Sequence, residues 1–207
     1  MLENFYLKIK KSNYMPKLYF RYGSMNSSKT ANLLMVAHNY TSQNKKVLLI
    51  KPAIDTRFGN NIIKSRVGVE KDVDILLDYS DYNIKDINND LLKTIDAILV
   101  DEAQFLSSKQ VDRLRNISLS VPVLCYGLRT DYLSHLFEGS KRLMEIADTI
   151  EEIKNTCTFC DKKAIINLQY DLNKKIIKEG SSNLIILGAE EKYLPSCYKC
   201  WITRTYI

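Results

Sequence analysis

"LYFRYGSMNSSKT", residues 18–30, is an apolar and aromatic run that stops at Gly23 and reopens after Lys29 into "TANLLMVAHNY", where Leu33, Leu34, Ala37 and Tyr40 recur at helical spacing. Strand, glycine loop, helix is the layout of a phosphate-binding loop. The segment "GSMNSSKT" (23–30) carries the first glycine and the Lys-Thr pair of that motif at the right spacing, with Ser28 where a second glycine is usual. In such a loop the backbone N–H groups and the helix N-terminus surround phosphates, the lysine meets the terminal phosphoryl oxygens, and the hydroxyl after it binds magnesium. Gly23, Ser24, Met25, Asn26, Ser27, Ser28, Lys29 and Thr30 are therefore candidate phosphate binders. If position 28 needs a left-handed backbone, its serine costs roughly 1–2 kcal/mol relative to glycine, which a folded domain tolerates.

Working outward, "KKVLLIKP" (45–52), "DAILVDEAQF" (96–105) and "VPVLCYG" (121–127) are short apolar runs of the kind found in strands covered on both faces. Helical patterns separate them, notably "SSKQVDRLRNI" (107–117), with a serine positioned as cap, and "SKRLMEIADTIEEI" (140–153). Alternating strand and helix predicts an α/β fold with a parallel, P-loop (RecA-like) sheet flanked by helices. The strand ending in Asp101 supplies the second half of a phosphate site, because a carboxylate at the carboxyl edge of a parallel sheet holds magnesium beside the loop. Glu102 follows immediately and points elsewhere, toward a second substrate, where it suits a general base. Arg57, in "PAIDTRFG", lies on a loop after a strand, placed to position an acceptor oxygen or stabilise phosphate charge; a plain solvent-exposed arginine fits the spacing too.

With 207 residues, 45% of them hydrophobic, the chain is long enough for one substantial core and a small appendage. A net charge of +6 is spread over 30 basic and 24 acidic residues without a concentrated basic stripe, so a solvated mixed surface accounts for it better than a nucleic-acid partner does. No run reaches the roughly 18 apolar residues of a membrane span, and the start of the chain lacks the apolar run of a secretion signal; a cytoplasmic protein is expected. After about residue 154 the pattern changes to short strands, "AIINLQY" (164–170) and "NLIILG" (183–188), flanked by "CTFC" (157–160) and "CYKC" (197–200). Two such pairs make a four-cysteine structural zinc site of Cys157, Cys160, Cys197 and Cys200, closed to chemistry because no coordination position is left open. Cys125 sits inside an apolar run and reads as core. The chain thus divides into an N-terminal extension (1–16), a nucleotide-binding domain (17–153) and a zinc-binding domain (154–207).

Taken together, "GSMNSSKT", "DTRFG", "SRVG", "DEAQF", "YGLRTDYLSHLFEGS", the two CxxC pairs and "GAEEKYLPSC" resemble the zinc-containing, cytosolic-type thymidine kinases in their bacterial form, over roughly residues 17–201. The resemblance implies transfer of the γ-phosphoryl of ATP to the 5′-hydroxyl of thymidine or deoxyuridine with magnesium, and a homotetramer inhibited by thymidine triphosphate. It implies no nucleic-acid and no membrane partner. By that resemblance Lys29 and Thr30 serve ATP and magnesium, Asp101 is the magnesium-side carboxylate, Glu102 the base, and Arg57 lies by the 5′-oxygen. It also implies a base pocket of Met25, Phe105, Leu128, Tyr132 and Phe137. "GAEEKYLPSC" resembles a lasso, clamped at its end by zinc, that folds over the base; Ile186, Ala189, Glu190, Glu191, Lys192 and Tyr193 then line the pocket or read the base through main-chain atoms.

The chain departs from that pattern at Ser28 and at Tyr132, where phenylalanine is usual and the added hydroxyl needs a partner. Ala189 replaces a second glycine, and Asn167 falls in a stretch where a base-facing threonine is common; Asn167 receives no assignment. Two other readings stay open on the residues: a P-loop and zinc-ribbon protein that binds nucleic acid, and a degenerate kinase that binds nucleotide without turnover.

Overall fold

The computed structural model describes residues 16–59, 61–171, 176–177 and 193–205. The expected strand at 183–188 and nearly all of the N-terminal extension lie outside these residues, as do Ile186, Ala189, Glu190, Glu191 and Lys192. The main sheet contains β1 (Leu18–Tyr22), β2 (Val47–Pro52), β5 (Ile75–Leu77), β6 (Ala97–Val100), β7 (Val123–Gly127) and β8 (Thr149–Glu152) in the order β5-β2-β6-β7-β1-β8. Every pairing in it is parallel. Strand alternation sorts its side chains into two cores. Leu49, Leu99, Leu124 and Tyr126 face Leu33, Leu34 and Ala37 of α1 (Lys29–Thr41). Leu48, Ile50, Ile98, Val100, Val123 and Cys125 face the opposite layer, which includes Val111, Leu114 and Ile117 of α3 (Ser108–Ile117) and Leu143 of α4 (Glu138–Ile146). Cys125 is core, as its sequence context predicts, and burial pushes its thiol pKa well up.

Helix α3 is capped as expected: the Ser107 side chain accepts from the Gln110 N–H, and the Gln110 side chain accepts from the Ser107 N–H. The helical reading of 140–153 is corrected. Helix α4 ends at Ile146 and Thr149–Glu152 becomes β8 against the edge of β1, with the Asp148 carboxylate accepting the Leu18 N–H at 2.8 Å. Helical periodicity continues through "ADTIEEI", but an open edge of β1 offers backbone partners that a longer helix would leave unpaired. Three short pieces complete this part: the hairpin of β3 (Ile62–Lys64) and β4 (Glu70–Asp72), and α2 (Asn89–Leu92).

The cysteine-bearing part is an antiparallel ribbon of β9 (Ile166–Gln169) and β10 (Tyr193–Ser196), followed by α5 (Tyr198–Thr205). Ile166, Leu168 and Trp201 form its small core. It is tied to the main sheet by the Trp201 indole N–H, which donates to the Tyr132 carbonyl at 2.9 Å, and by Asn155 Nδ2, which donates to the Met25 carbonyl at 2.9 Å.

Candidate active site

All of the candidate phosphate and carboxylate residues arrive at the carboxyl edge of the parallel sheet, the edge at which α/β folds bind ligands. Between β1 and α1 the loop turns sharply, with Asn26 at φ 62° and Ser28 at φ 61°, ψ 27°. The left-handed conformation expected at position 28 is therefore present, and the serine side chain makes no capping hydrogen bond there. Gly23 is obligatory for a different reason: a Cβ at that position would lie 2.4 Å from Ser27 Oγ and 2.5 Å from the Ile153 carbonyl oxygen.

The buried Lys29 folds back under the loop, its Nζ donating to the Ser24 carbonyl at 2.7 Å. Burial lowers its pKa to about 8 against the pull of Glu102 and Asp101, so an incoming polyanion would strengthen the charged form. Thr30 Oγ1 donates to Asp101 Oδ2 at 3.1 Å, which joins the two candidate magnesium ligands across α1 and β6. Burial, and then the adjacent Glu102 charge, push the Asp101 carboxyl up to about 7. A carboxylate placed so that a proton clings to it is also one for which a divalent cation competes well.

Glu102 has a left-handed backbone (φ 49°, ψ 38°) where β6 passes into a short 3-10 turn (Ala103–Phe105), which aims its side chain away from that of Asp101. One Glu102 oxygen accepts from the Arg57 guanidinium and the other from the Gln104 amide. Arg57 is also held by Asp55, with Nε donating to Oδ1 at 2.7 Å. Burial works against its charge, but Glu102 and Asp55 more than offset that and raise its pKa above the ordinary arginine value. The structure thus brings Arg57 to Glu102 and leaves no basis for reading it as a plain surface arginine. The loop bearing it is pinned by Lys51, which is 1% exposed and donates to the Gly59 and Ile62 carbonyls at 3.0 Å.

A cavity of about 210 Å³ opens over these groups, between the phosphate-loop residues Met25–Ala31, the carboxylates Asp101 and Glu102, Arg57, and the β3–β4 hairpin. Phe105, Leu128, Tyr132, Phe137 and Tyr193 do not line it. Phe105 and Phe137 meet edge to face at 5.9 Å, and the Leu128 N–H donates to Oε1 of Gln104, the residue before Phe105, at 3.0 Å. Gln104, 2% exposed, is a residue that sequence reasoning missed; its amide links Glu102 to the Leu128 segment. Gly127 makes room for it, since a Cβ there would stand 2.7 Å from Gln104 Oε1. Met25 is gripped from the cysteine-bearing ribbon as well, its N–H donating to Asn167 Oδ1 at 2.8 Å.

The four cysteines converge as their spacing predicts, with all sulfurs within 4.8 Å of one another. A tetrahedral centre with metal–sulfur bonds of about 2.3 Å has its sulfurs about 3.8 Å apart. Here Cys160–Cys197 and Cys160–Cys200 are 3.6 and 3.7 Å, so the set fits such an ion. The Phe159 N–H donates to Cys157 Sγ and the Cys200 N–H to Cys197 Sγ, both at 3.4 Å. No helix among the described residues is long and apolar enough to cross a membrane.

Comparison with known proteins agrees with this geometry. The family model described as "Thymidine kinase" matches residues 16–201. A thymidine kinase of Zymomonas mobilis is 43% identical over 194 residues, covering 92% of this chain and 98% of the relative. One from Listeria monocytogenes is 42% identical, covering 90% and 96%, and one from Enterococcus faecalis 41%, covering 89% and 94%. Among solved structures the likeness is distant: the Legionella pneumophila ATPase DotB aligns with a TM-score of 0.39 and 16% identity over 78% of this chain and 47% of that one.

Proposed function

The chain belongs to the thymidine kinase family, and from that premise we propose how its site phosphorylates thymidine at the 5′-hydroxyl with ATP as donor. The observation that carries the mechanism is the meeting, at one sheet edge, of the Lys29–Thr30–Asp101 set with the Arg57–Glu102 pair. The triphosphate enters the cavity over residues 23–30, where the backbone N–H groups and the start of α1 face its phosphates. Lys29 exchanges the Ser24 carbonyl for phosphoryl oxygens. Thr30 and Asp101 would hold a magnesium ion, which when bound would supply charge neutralisation for the phosphoryl transfer. The nucleoside lies on the other side of Glu102, in the pocket of Met25, Phe105, Leu128, Tyr132, Phe137 and Tyr193. Glu102 accepts the proton of the 5′-hydroxyl while Arg57 holds the carboxylate in place and stands beside the oxygen that attacks. Gln104 orients the second carboxylate oxygen.

In this reading residues 17–153 form the nucleotide-binding unit and 154–207 the unit that closes over the nucleoside, with Cys157, Cys160, Cys197 and Cys200 holding a structural zinc. The zinc acts on specificity indirectly, by restricting the freedom of the segment that covers the base. Ile186, Ala189, Glu190, Glu191 and Lys192 keep their proposed place in that segment. A homotetramer, inhibition by thymidine triphosphate and a cytoplasmic location complete the proposal. The test is Glu102→Gln, which keeps the hydrogen-bonding shape but removes the base. Turnover should fall by about a hundredfold or more with ATP binding intact. Turnover near that of the wild type would remove Glu102 from the mechanism.

A further inference from the structure

Arg57 reaches Glu102 from a loop, and that loop brings little apolar anchorage of its own: Ile54 and Phe58 are exposed. It is held from the sheet by the ammonium of Lys51, which is 1% exposed, and burying a lysine is costly unless its donors are met. All three donors of that ammonium have acceptors among the residues that follow β2. Two are the Gly59 and Ile62 carbonyls, each at 3.0 Å, and the third is Asp55 Oδ2 at 3.5 Å. The other Asp55 oxygen, Oδ1, accepts from Arg57 Nε at 2.7 Å and from the Arg57 main-chain N–H at 3.4 Å. Burial works against the Asp55 charge, but Arg57 and then Lys51 hold its carboxyl below the usual carboxylate range. Lys51, Asp55, Arg57 and Glu102 thus form a largely buried chain of alternating charge whose last member is the proposed base. Its first member is fixed relative to that base, because β2 lies beside β6 and the Asp101 N–H donates to the Ile50 carbonyl at 2.9 Å.

We propose that Lys51 is a positioning residue for the phosphoryl transfer: through Asp55 it sets the Arg57 guanidinium against Glu102, and with it the place of the carboxylate that takes the 5′-hydroxyl proton. A displacement of about 1 Å produced far from the chemistry costs up to about a hundredfold in rate. Without the ammonium the loop loses both carbonyl contacts and the ion pair that tie it to β2, and the guanidinium moves with the loop. Lys29 and Thr30 keep their own contacts with Ser24 and Asp101, so the effect falls on turnover and not on ATP binding. This rests on the thymidine reading above and adds to it the residue that holds its Arg57–Glu102 pair together.

Lys51→Met removes the ammonium but keeps an unbranched chain of similar length. Its kcat with thymidine should fall at least about tenfold, with KM for ATP within about threefold of the wild type. A double-mutant cycle with Arg57→Ala separates positioning from a general structural effect, because a residue that acts through Arg57 has nothing left to act on in its absence. In the Arg57→Ala background, Lys51→Met should therefore change kcat by less than about threefold. The same fold loss in both backgrounds makes Lys51 a structural residue and overturns the inference. An unaltered kcat in Lys51→Met, or a loss carried by KM for ATP instead, overturns it as well. If that variant does not fold, Lys51→Gln, which keeps a donor for the loop carbonyls, carries the same cycle; failure of both to fold makes the residue structural and sinks the assignment. An Arg57→Ala variant as active as the wild type overturns the role of Arg57 and this inference with it, leaving the kinase reading standing. A folded wild type that phosphorylates no thymidine overturns that reading itself.

Discussion

Replacing Ser28 by glycine separates the backbone demand of the phosphate loop from any role of the serine itself. Ser28 sits at φ 61°, its side chain is exposed, and it makes no capping hydrogen bond. A left-handed conformation costs a non-glycine residue roughly 1–2 kcal/mol, which Ser28→Gly relieves. Against this, glycine loses more freedom on folding, by roughly 0.5–1 kcal/mol. Taken at matching ends of the two ranges, the balance is a gain of about 0.5–1 kcal/mol. For a domain of this size that is a rise in melting temperature of about 1–4 °C. If the relief is felt in the nucleotide-bound state as well, KM for ATP stays level or falls by up to about fivefold. Thermal denaturation without ligand and initial rates at varied ATP measure the two quantities. Asn26→Gly is the internal control: Asn26 has nearly the same φ, 62°, but asparagine tolerates that region better, so its gain should be smaller. A melting temperature that drops by more than about 2 °C, or a tenfold loss in kcat/KM for ATP, in Ser28→Gly would refute this reasoning and give the hydroxyl a positive role.

Lys29→Ala should cripple ATP use, by about a hundredfold or more in kcat/KM, while metal content at the cysteine site is unchanged; unaltered ATP kinetics would remove the phosphate-loop assignment. The Asp101 carboxyl, raised to about 7 in the fold against about 3.9 in an unfolded chain, binds its proton more tightly when folded. Its contribution to stability is therefore full below about pH 4 and lost as pH rises through 7 in magnesium-free protein. Urea denaturation at pH 5, 6 and 7 should show that decline, and Asp101→Asn should flatten it; an equal slope in the variant contradicts the assignment of the shift to Asp101. Sustained chelation should lower the melting temperature and raise KM for thymidine more than KM for ATP, checked by metal analysis alongside kinetics. A protein stripped of zinc with unchanged thymidine kinetics would detach the cysteine site from the base pocket.

The phosphate loop, Asp101 with Glu102, and the four cysteines were legible because each is a local pattern whose spacing carries its chemistry. The loop motif needs only its eight residues, and a CxxC pair needs only its own turn. Arg57 was legible as a candidate but not as a partner of Glu102, since 45 residues separate the two in the chain and only the loop pinned by Lys51 joins them. Gln104, Lys51 and Asn167 left little mark, being single polar residues inside or beside apolar runs, where composition reads as core. The β8 strand was misread as helix because "TIEE" continues a helical periodicity, and only the open edge of β1, supplied by tertiary structure, decides otherwise. The short strands β3, β4 and β5 are three residues each, too brief for a period to show.

The most direct test of the account is transfer of labelled γ-phosphate from ATP to thymidine by the zinc-replete protein with magnesium, with deoxycytidine and deoxyadenosine as comparison acceptors. The account predicts magnesium-dependent labelling of thymidine and none of the other two. A folded, zinc-containing protein that labels no nucleoside would contradict it and favour a nucleotide binder without turnover or a nucleic-acid protein.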